Sequence, residues 1–369
     1  MANPRLRALI WWRKWTKREW AIAVVGFHNY LCLDGSLPGY HFQKGFGSGS
    51  NNWLLHLEGG GWCNSVASCL SRKTTPLGSS NFMEQQVGFA GILSSDTSQN
   101  PDFFNWNKVK IRYCDGASFA GHPDKLFFRG QLIWEAFMDE LLSLGMSNAK
   151  QALLSGCSAG GLATFIHCDE FRDRLPKHVT VKCLADAGFF LDEPDILGNR
   201  TIRSFYHDVV DLQGVAKSLN MDCLSRMESF KAGLQFSLFG IQCNSLKAHV
   251  TSADPDVSDP HGEWRPCILN IHSCNPHQLE ILQGYRSSML KALSESQQIQ
   301  GGGMFINSCF IHCQTWMAET WHSPNSPRIN NKTIAESVSD WYFDRRAVKQ
   351  IDCPYPCNPT CYNMDFTRG

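Results

Sequence analysis

One segment constrains the fold more than any other: KQALLSGCSAGGLATFI, residues 150–166. KQALLS reads as a short apolar strand, and Leu162, Phe165 and Ile166 recur at helical spacing after it, so strand must hand over to helix through Gly156-Cys157-Ser158-Ala159-Gly160. A Gly-x-Ser-x-Gly corner of this kind lifts its serine into the open on a tight, strained turn, with Gly156 and Gly160 letting the two elements pack closely. A hydroxyl is a weak nucleophile unless it is so exposed beside a base, which makes Ser158 the candidate nucleophile. Ala159 then opens the helix, and its N–H points where an oxyanion would form, with the helix dipole behind it.

The same handover recurs along the chain. WLLHLE, Trp53 to Glu58, and KVKIRYCDG, starting at Lys108, read as strands feeding loops. QLIWEAFMDELLSLG carries Leu132, Ile133, Phe137, Leu141 and Leu142 on one helical face and stops at Gly145. VKCLADAGFF reads as a strand with its loop, LQFSLFGIQ alternates like a strand, HQLEILQGYRSSMLKALS reads as a long amphipathic helix, and GMFINSC as a late strand. Alternation of strand and helix predicts a mainly parallel sheet covered on both faces. No linker-like shift in composition and no repeat interrupts the pattern, so residues 31–369 are expected to form one domain behind an ill-defined leader, residues 1–30.

Two further pieces suit acyl-transfer chemistry. LEGGGWC, Leu57 to Cys63, follows a strand and resembles the glycine-rich oxyanion loop of esterases, which would make Gly61 and Trp62 backbone donors. The same loop also reads as a plain turn, and Trp62 as a wall residue. His312 lies just past the last predicted strand, where a base following the serine in chain order belongs. Of the 13 histidines, His56, His167 and His207 fall within or near regular elements and read as structural. The second glycine run, Gly301 to Gly303, reads as a loop.

Composition narrows the setting. Lysine plus arginine and aspartate plus glutamate number 34 each, which gives no electrostatic reason to expect nucleic acid. Sixteen cysteines, from Cys32 to Cys361, exceed what a reducing compartment keeps and point to disulfides and secretion. The sequons at Asn199 and Asn331 agree with that reading. The leader fits it poorly, because charges interrupt its apolar run and leave only Ala21 to Phe27. No run of 18 or more apolar residues predicts a transmembrane span. CPYPCNPTC, Cys353 to Cys361, offers thiols to zinc or to disulfides, and its spacing lacks the paired Cys-x-x-Cys form that favours zinc.

CLDGSLPGYHFQKGFGSG, LEGGGWCNSVASCL, KVKIRYCDGASFAGH, GCSAGGLAT, CLADAGFFLD, INSCFIHCQTWMAETW and CPYPCNPTC together closely resemble the plant pectin acetylesterases, relatives of the Notum carboxylesterases. The resemblance runs from Leu31 to the end of the chain. It implies an α/β-hydrolase fold, hydrolysis of acetyl esters on cell-wall homogalacturonan, acetylated pectin as the partner, and no metal or organic cofactor. Matched motif to motif, it places the nucleophile on Ser158, the base on His312 and the oxyanion donors on Gly61, Trp62 and Ala159.

One expected group is missing. The family carries its triad acid in a Tyr-Asp-x-Trp-Gln motif before the histidine strand, and residues 229–264 hold no such motif. Asp254, Asp256 and Asp259 follow in that stretch; Asp186, at the end of the strand after the nucleophile helix, is another candidate, although the resemblance suggests it bonds backbone N–H groups in its loop. The sequence reading is that the third member is absent. That leaves a second reading, an impaired homologue that binds acetylated polysaccharide or a protein partner, and a third, an esterase acting on a lipid-modified protein.

Overall fold

The computed structural model describes residues 22–25, 30–122, 128–219, 238–242, 262–294 and 301–368. Strands β1 (Ile22–Val24), β2 (Gly39–Gln43), β3 (Asn52–Leu57), β4 (Asn107–Ile111), β5 (Gln151–Cys157), β6 (Thr180–Asp186), β7 (Leu238–Gln242), β8 (Gly303–Ile306) and β9 (Lys349–Ile351) form one nine-stranded sheet in the order β1-β2-β4-β3-β5-β6-β7-β8-β9. Every pairing from β4 across to β9 is parallel; β1 with β2 and β2 with β4 are antiparallel. Ile22–Val24, inside the stretch read as leader, add the edge strand β1, and Gly303 opens β8 rather than closing a loop.

Eight helices are described: α1 (Val66–Arg72), α2 (Gly130–Ser143), α3 (Ala159–Asp173), α4 (Thr201–Gln213), α5 (Arg265–Leu269), α6 (Pro276–Ala292), α7 (Ala318–Trp321) and α8 (Ile334–Tyr342). Gly145, with φ of +117°, takes the left-handed position just past α2 that its sequence predicts. Asn275 and Gln278 cap α6 reciprocally, with Pro276 at its first position.

Both faces of the sheet are apolar, as a parallel sheet requires. Along β3, Trp53, Leu55 and Leu57 join one core with Ile133, Phe137 and Met138 of α2 and Phe171 of α3, whereas Leu54 turns to the other, with Phe305, Trp321 and Val338. Helix α3 departs from expectation. Its apolar Leu162, Phe165 and Ile166 are only half-buried, and the fully covered face consists of Ala163, Thr164, His167, Cys168 and Phe171. Small side chains let this helix sit close on the sheet, and a buried histidine is tolerated because its Nε2 lies 3.2 Å from the Phe119 carbonyl while its ring stacks on Trp134.

Among the described residues, seven disulfides join Cys32 to Cys114, Cys63 to Cys69, Cys157 to Cys313, Cys168 to Cys183, Cys267 to Cys274, Cys309 to Cys361 and Cys353 to Cys357. Asp352, Cys353 and Cys357 cluster closely enough to suggest a metal, but the two sulfurs are bonded to each other and no thiolate is left to ligate one. Among the described residues no helix is long and apolar enough to cross a membrane. Asn199 and Asn331 lie on exposed segments.

Candidate active site

The site residues gather because three neighbouring strands end level. Leu57 pairs with Gly156 across β3 and β5, and Cys157 pairs with Asp186 across β5 and β6. The glycine-rich loop, the serine corner and the loop after β6 therefore leave the same edge side by side. Here β3 lies between β4 and β5, so successive connections run to opposite sides and open a crevice at the carboxyl ends.

Ser158 holds φ of +59° and ψ of −121°, a conformation that costs an L-residue roughly 1–3 kcal/mol and persists only where its surroundings impose it. Those surroundings are three glycine contacts. A Cβ on Gly156 would meet the Gly160 carbonyl oxygen at 2.1 Å, one on Gly160 the Leu57 carbonyl oxygen at 2.1 Å, and one on Gly59 the Cys157 carbonyl oxygen at 2.4 Å. The Ser158 N–H donates to the Asp186 carbonyl at 2.9 Å, and its carbonyl accepts from Leu162 N–H. The side chain is half-buried.

His312 comes to this edge through the Cys157–Cys313 bond, whose Cα atoms are 5.7 Å apart across 156 residues of sequence. Each sulfur belongs to a residue adjoining one candidate, so the Cα atoms of Ser158 and His312 lie within roughly 13 Å, allowing 3.8 Å per chain step. Asp186 ties the same two loops a second time. Its carbonyl holds Ser158, and its Oδ2 accepts from Gln314 N–H at 2.7 Å, Thr315 N–H at 2.8 Å and the Thr315 hydroxyl at 2.8 Å. Burial pushes its carboxyl up to about 6, against the pull of those bonds. The hydrogen bonds to Asp186 Oδ2 thus come from the histidine loop, two from its backbone and one from the Thr315 hydroxyl. Asp254, Asp256 and Asp259 lie outside the described residues.

The glycine-rich loop is pinned from behind. Arg72, stacked on Tyr113 at 4.9 Å, donates to the Gly60 carbonyl at 2.9 Å and the Gly61 carbonyl at 3.4 Å, and the Tyr113 hydroxyl donates to the Gly61 carbonyl at 2.9 Å. With these carbonyls held on one side, the N–H groups are free to face the other. Gly61 has φ of +67°, which glycine adopts without strain. Gln213 of α4 adds a clamp by donating to the Cys63 carbonyl at 2.8 Å and the Gly116 carbonyl at 2.9 Å. The Trp62 ring meets Phe190 at 4.8 Å and Tyr206 at 4.9 Å, both edge to face, which makes a wall of aromatic rings beside the loop.

A family model described as Pectinacetylesterase matches residues 21–362. The chain belongs to that family. It is 54% identical to "Pectin acetylesterase 5" of Arabidopsis thaliana over 100% of both chains, and 51% identical to "Pectin acetylesterase 4" of the same plant over 96% of this chain and 100% of that one. The first alignment spans 432 positions against the 369 residues present here, a surplus of 63, so the relative carries stretches with no counterpart in this family member. The human "Palmitoleoyl-protein carboxylesterase NOTUM" is 39% identical over 176 residues, 44% of this chain and 35% of that protein. Among solved structures, the Wnt deacylase Notum from Drosophila superposes with a TM-score of 0.75 at 23% identity, covering 94% of this chain and 100% of that one, a likeness of fold. An α/β-hydrolase-like sheet, expected from the family resemblance, is therefore what this pectinacetylesterase has.

Of the other histidines, His56 Nδ1 lies 2.9 Å from the Ser155 hydroxyl, and burial holds its pKa down to about 3. His207 is largely exposed on α4. Sequence reasoning missed Arg72, Tyr113, Ser118 and Gln213, which shape the glycine-rich loop. Each shapes the loop through a contact that neither periodicity nor spacing reveals.

Proposed function

We propose that this chain is a serine esterase that removes acetyl groups from cell-wall homogalacturonan. One observation carries the proposal: the strained corner at Ser158 is joined through Cys157 to the residue that follows His312. In this reading the Ser158 hydroxyl attacks the acetyl carbonyl carbon while His312 takes its proton. The N–H groups of Gly61, Trp62 and Ala159 hold the oxyanion, and its collapse expels the sugar hydroxyl, which receives the proton from His312. Water, deprotonated by His312, then attacks the acetyl-serine and releases acetate. No organic or metal cofactor takes part in these steps.

Arabidopsis relatives aligned over 90% or more of this chain are pectin acetylesterases, which supports the same activity here. The engagement of Asp186 Oδ2 with Gln314 N–H and with the N–H and hydroxyl of Thr315 supports reading it as a tie for the histidine loop, with the triad's acid absent. An oxyanion hole and substrate binding alone sustain about 10³- to 10⁴-fold catalysis over water, and activity at or above that level is expected. Seven disulfides suit an oxidising compartment, and secretion to the cell wall belongs to the same proposal, as does a single domain, which β1 extends back from residue 31 to residue 22. The test is acetate release from acetylated pectin and from 4-nitrophenyl acetate, with Ser158→Ala alongside. Release from both, abolished in the variant, is expected; wild-type protein no faster than Ser158→Ala on either would overturn the reading.

A further inference from the structure

The loop after β4 contains two consecutive residues other than glycine in the left-handed region, Ser118 with φ of +55° and Phe119 with φ of +60°. Such a pair costs on the order of 1–3 kcal/mol per residue, and strain of this kind marks a place where geometry has been fixed for a purpose. The buried Asp115 carboxylate maintains it by accepting from Ala117 N–H at 3.1 Å and Phe119 N–H at 3.0 Å. The result is that the Ser118 side chain, itself buried, points between the glycine-rich loop and the start of α3.

Its bonds there have only one possible polarity. The Trp62 indole N–H must donate, and it does so to the Ser118 hydroxyl at 2.7 Å; the Ala159 carbonyl must accept, and it receives the hydroxyl proton at 2.8 Å. From the backbone, Ser118 N–H donates to the Tyr113 hydroxyl at 2.9 Å, which in turn donates to the Gly61 carbonyl at 2.9 Å. Gly61, Trp62 and Ala159, the three proposed oxyanion donors, are thus all bonded to Ser118 directly or through one hydroxyl. No other described side chain bonds both the glycine-rich loop and the first turn of α3.

We infer that Ser118 is a positioning residue for the oxyanion hole: one hydroxyl sets the spacing between the Gly61–Trp62 loop and Ala159. The inference rests on the esterase reading above and adds a residue to it. Donors in such a hole act only when held where the oxygen's charge will develop, so loosening their spacing slows acylation while leaving ground-state binding alone.

Ser118→Gly separates this role from a structural one, because glycine suits φ of +55° better than serine and removes just the CH2OH group that carries the hydroxyl. The variant is expected to melt within a few degrees of the wild-type temperature, relieved backbone strain offsetting the lost bonds, yet to be acylated by 4-nitrophenyl acetate about 10- to 100-fold more slowly in single turnover, with KM within twofold. Phenylboronic acid, whose serine adduct resembles the tetrahedral intermediate, should lose affinity in parallel. Trp62→Phe removes the same bond from its other end, so the double variant should be no slower than the slower single one. Wild-type acylation by Ser118→Gly, a loss confined to KM, or multiplicative losses in the double variant would overturn the inference. Should wild-type protein hydrolyse no ester, the functional reading falls. The clamp is then decided by hydrogen exchange at the Trp62 indole: protection lost in Ser118→Gly upholds it, and equal exchange in both proteins refutes it.

Discussion

Cys157 and Cys313 are bonded, and each adjoins one half of the proposed catalytic pair, Ser158 and His312. The cross-link therefore does more than limit the unfolded chain. It fixes two loops that leave different strands, β5 and β8, at the points where proton transfer needs hydrogen-bond reach.

Replacing both cysteines, Cys157→Ala with Cys313→Ala, is expected to cost about 2–5 kcal/mol of stability. Acetate release should also fall more than about tenfold at temperatures where the variant remains folded, since a small misplacement of reacting groups costs about that much or more. Urea melts and single-turnover acylation measure the two effects separately; full activity in the folded variant would show that the bond does not position the pair.

Gly160→Ala tests the corner itself. Its Cβ would stand 2.1 Å from the Leu57 carbonyl oxygen, backbone that cannot move without separating α3 from β3. A loss of more than about 3 kcal/mol, or no soluble protein, is expected. Gly61→Ala makes the contrast: nothing lies within 4 Å of its Cβ, and the left-handed φ alone should cost about 1–2 kcal/mol. Denaturant midpoints of similar size for the two variants would contradict the close approach.

Asp186→Asn should reveal a buried carboxyl through pH. Burial raises the group from 3.8 to about 6, so the folded chain keeps a proton that the unfolded chain has lost between those values. Folding takes up that proton, and the group's contribution to stability falls as pH rises from about 4 to 6, then levels off. Wild-type stability measured relative to Asp186→Asn should therefore decline over that window. His41 and His56, lowered by burial to about 4 and 3, act in the opposite direction but are common to both proteins and cancel from the difference. A difference that is flat from pH 4 to 7 would mean the carboxyl is ordinary.

Tyr206→Phe probes the aromatic wall. Its hydroxyl is buried beside Trp62 with no hydrogen-bond partner among the described residues, and burial keeps it protonated by raising its pKa well above the usual value. Removing an unsatisfied buried hydroxyl while keeping the ring should raise stability by about 1 kcal/mol. A lower urea midpoint for the variant would show that the hydroxyl is satisfied in solution.

The corner at Ser158 was legible because everything that makes it is local: a six-residue apolar strand, two glycines at fixed offsets and a following helix. His312 is proposed as the base from its order in the chain, and the family's motif blocks point to the glycine-rich loop. Thr333 and Glu336 cap α8 reciprocally, a Thr-x-x-Glu pattern that would have placed this helix. The buried face of α3 was misread because spacing favours large apolar residues, whereas the sheet accepts this helix through small ones and a satisfied histidine.

From sequence alone came the alternation of strands and helices, the strand-to-helix corner at Ser158 and the expectation of disulfides, since periodicity, turn chemistry and cysteine content are written in neighbouring residues or simple counts. Only the tertiary structure decided that Cys157 bonds Cys313, that Asp186 holds both the serine and histidine loops, and that Ser118 bonds both Trp62 and Ala159, two of the proposed oxyanion donors. Sixteen cysteines allow very many pairings, and a buried polar hub has no period to betray it. Such contacts exist only once the level ends of β3, β5 and β6 have brought distant loops to one edge.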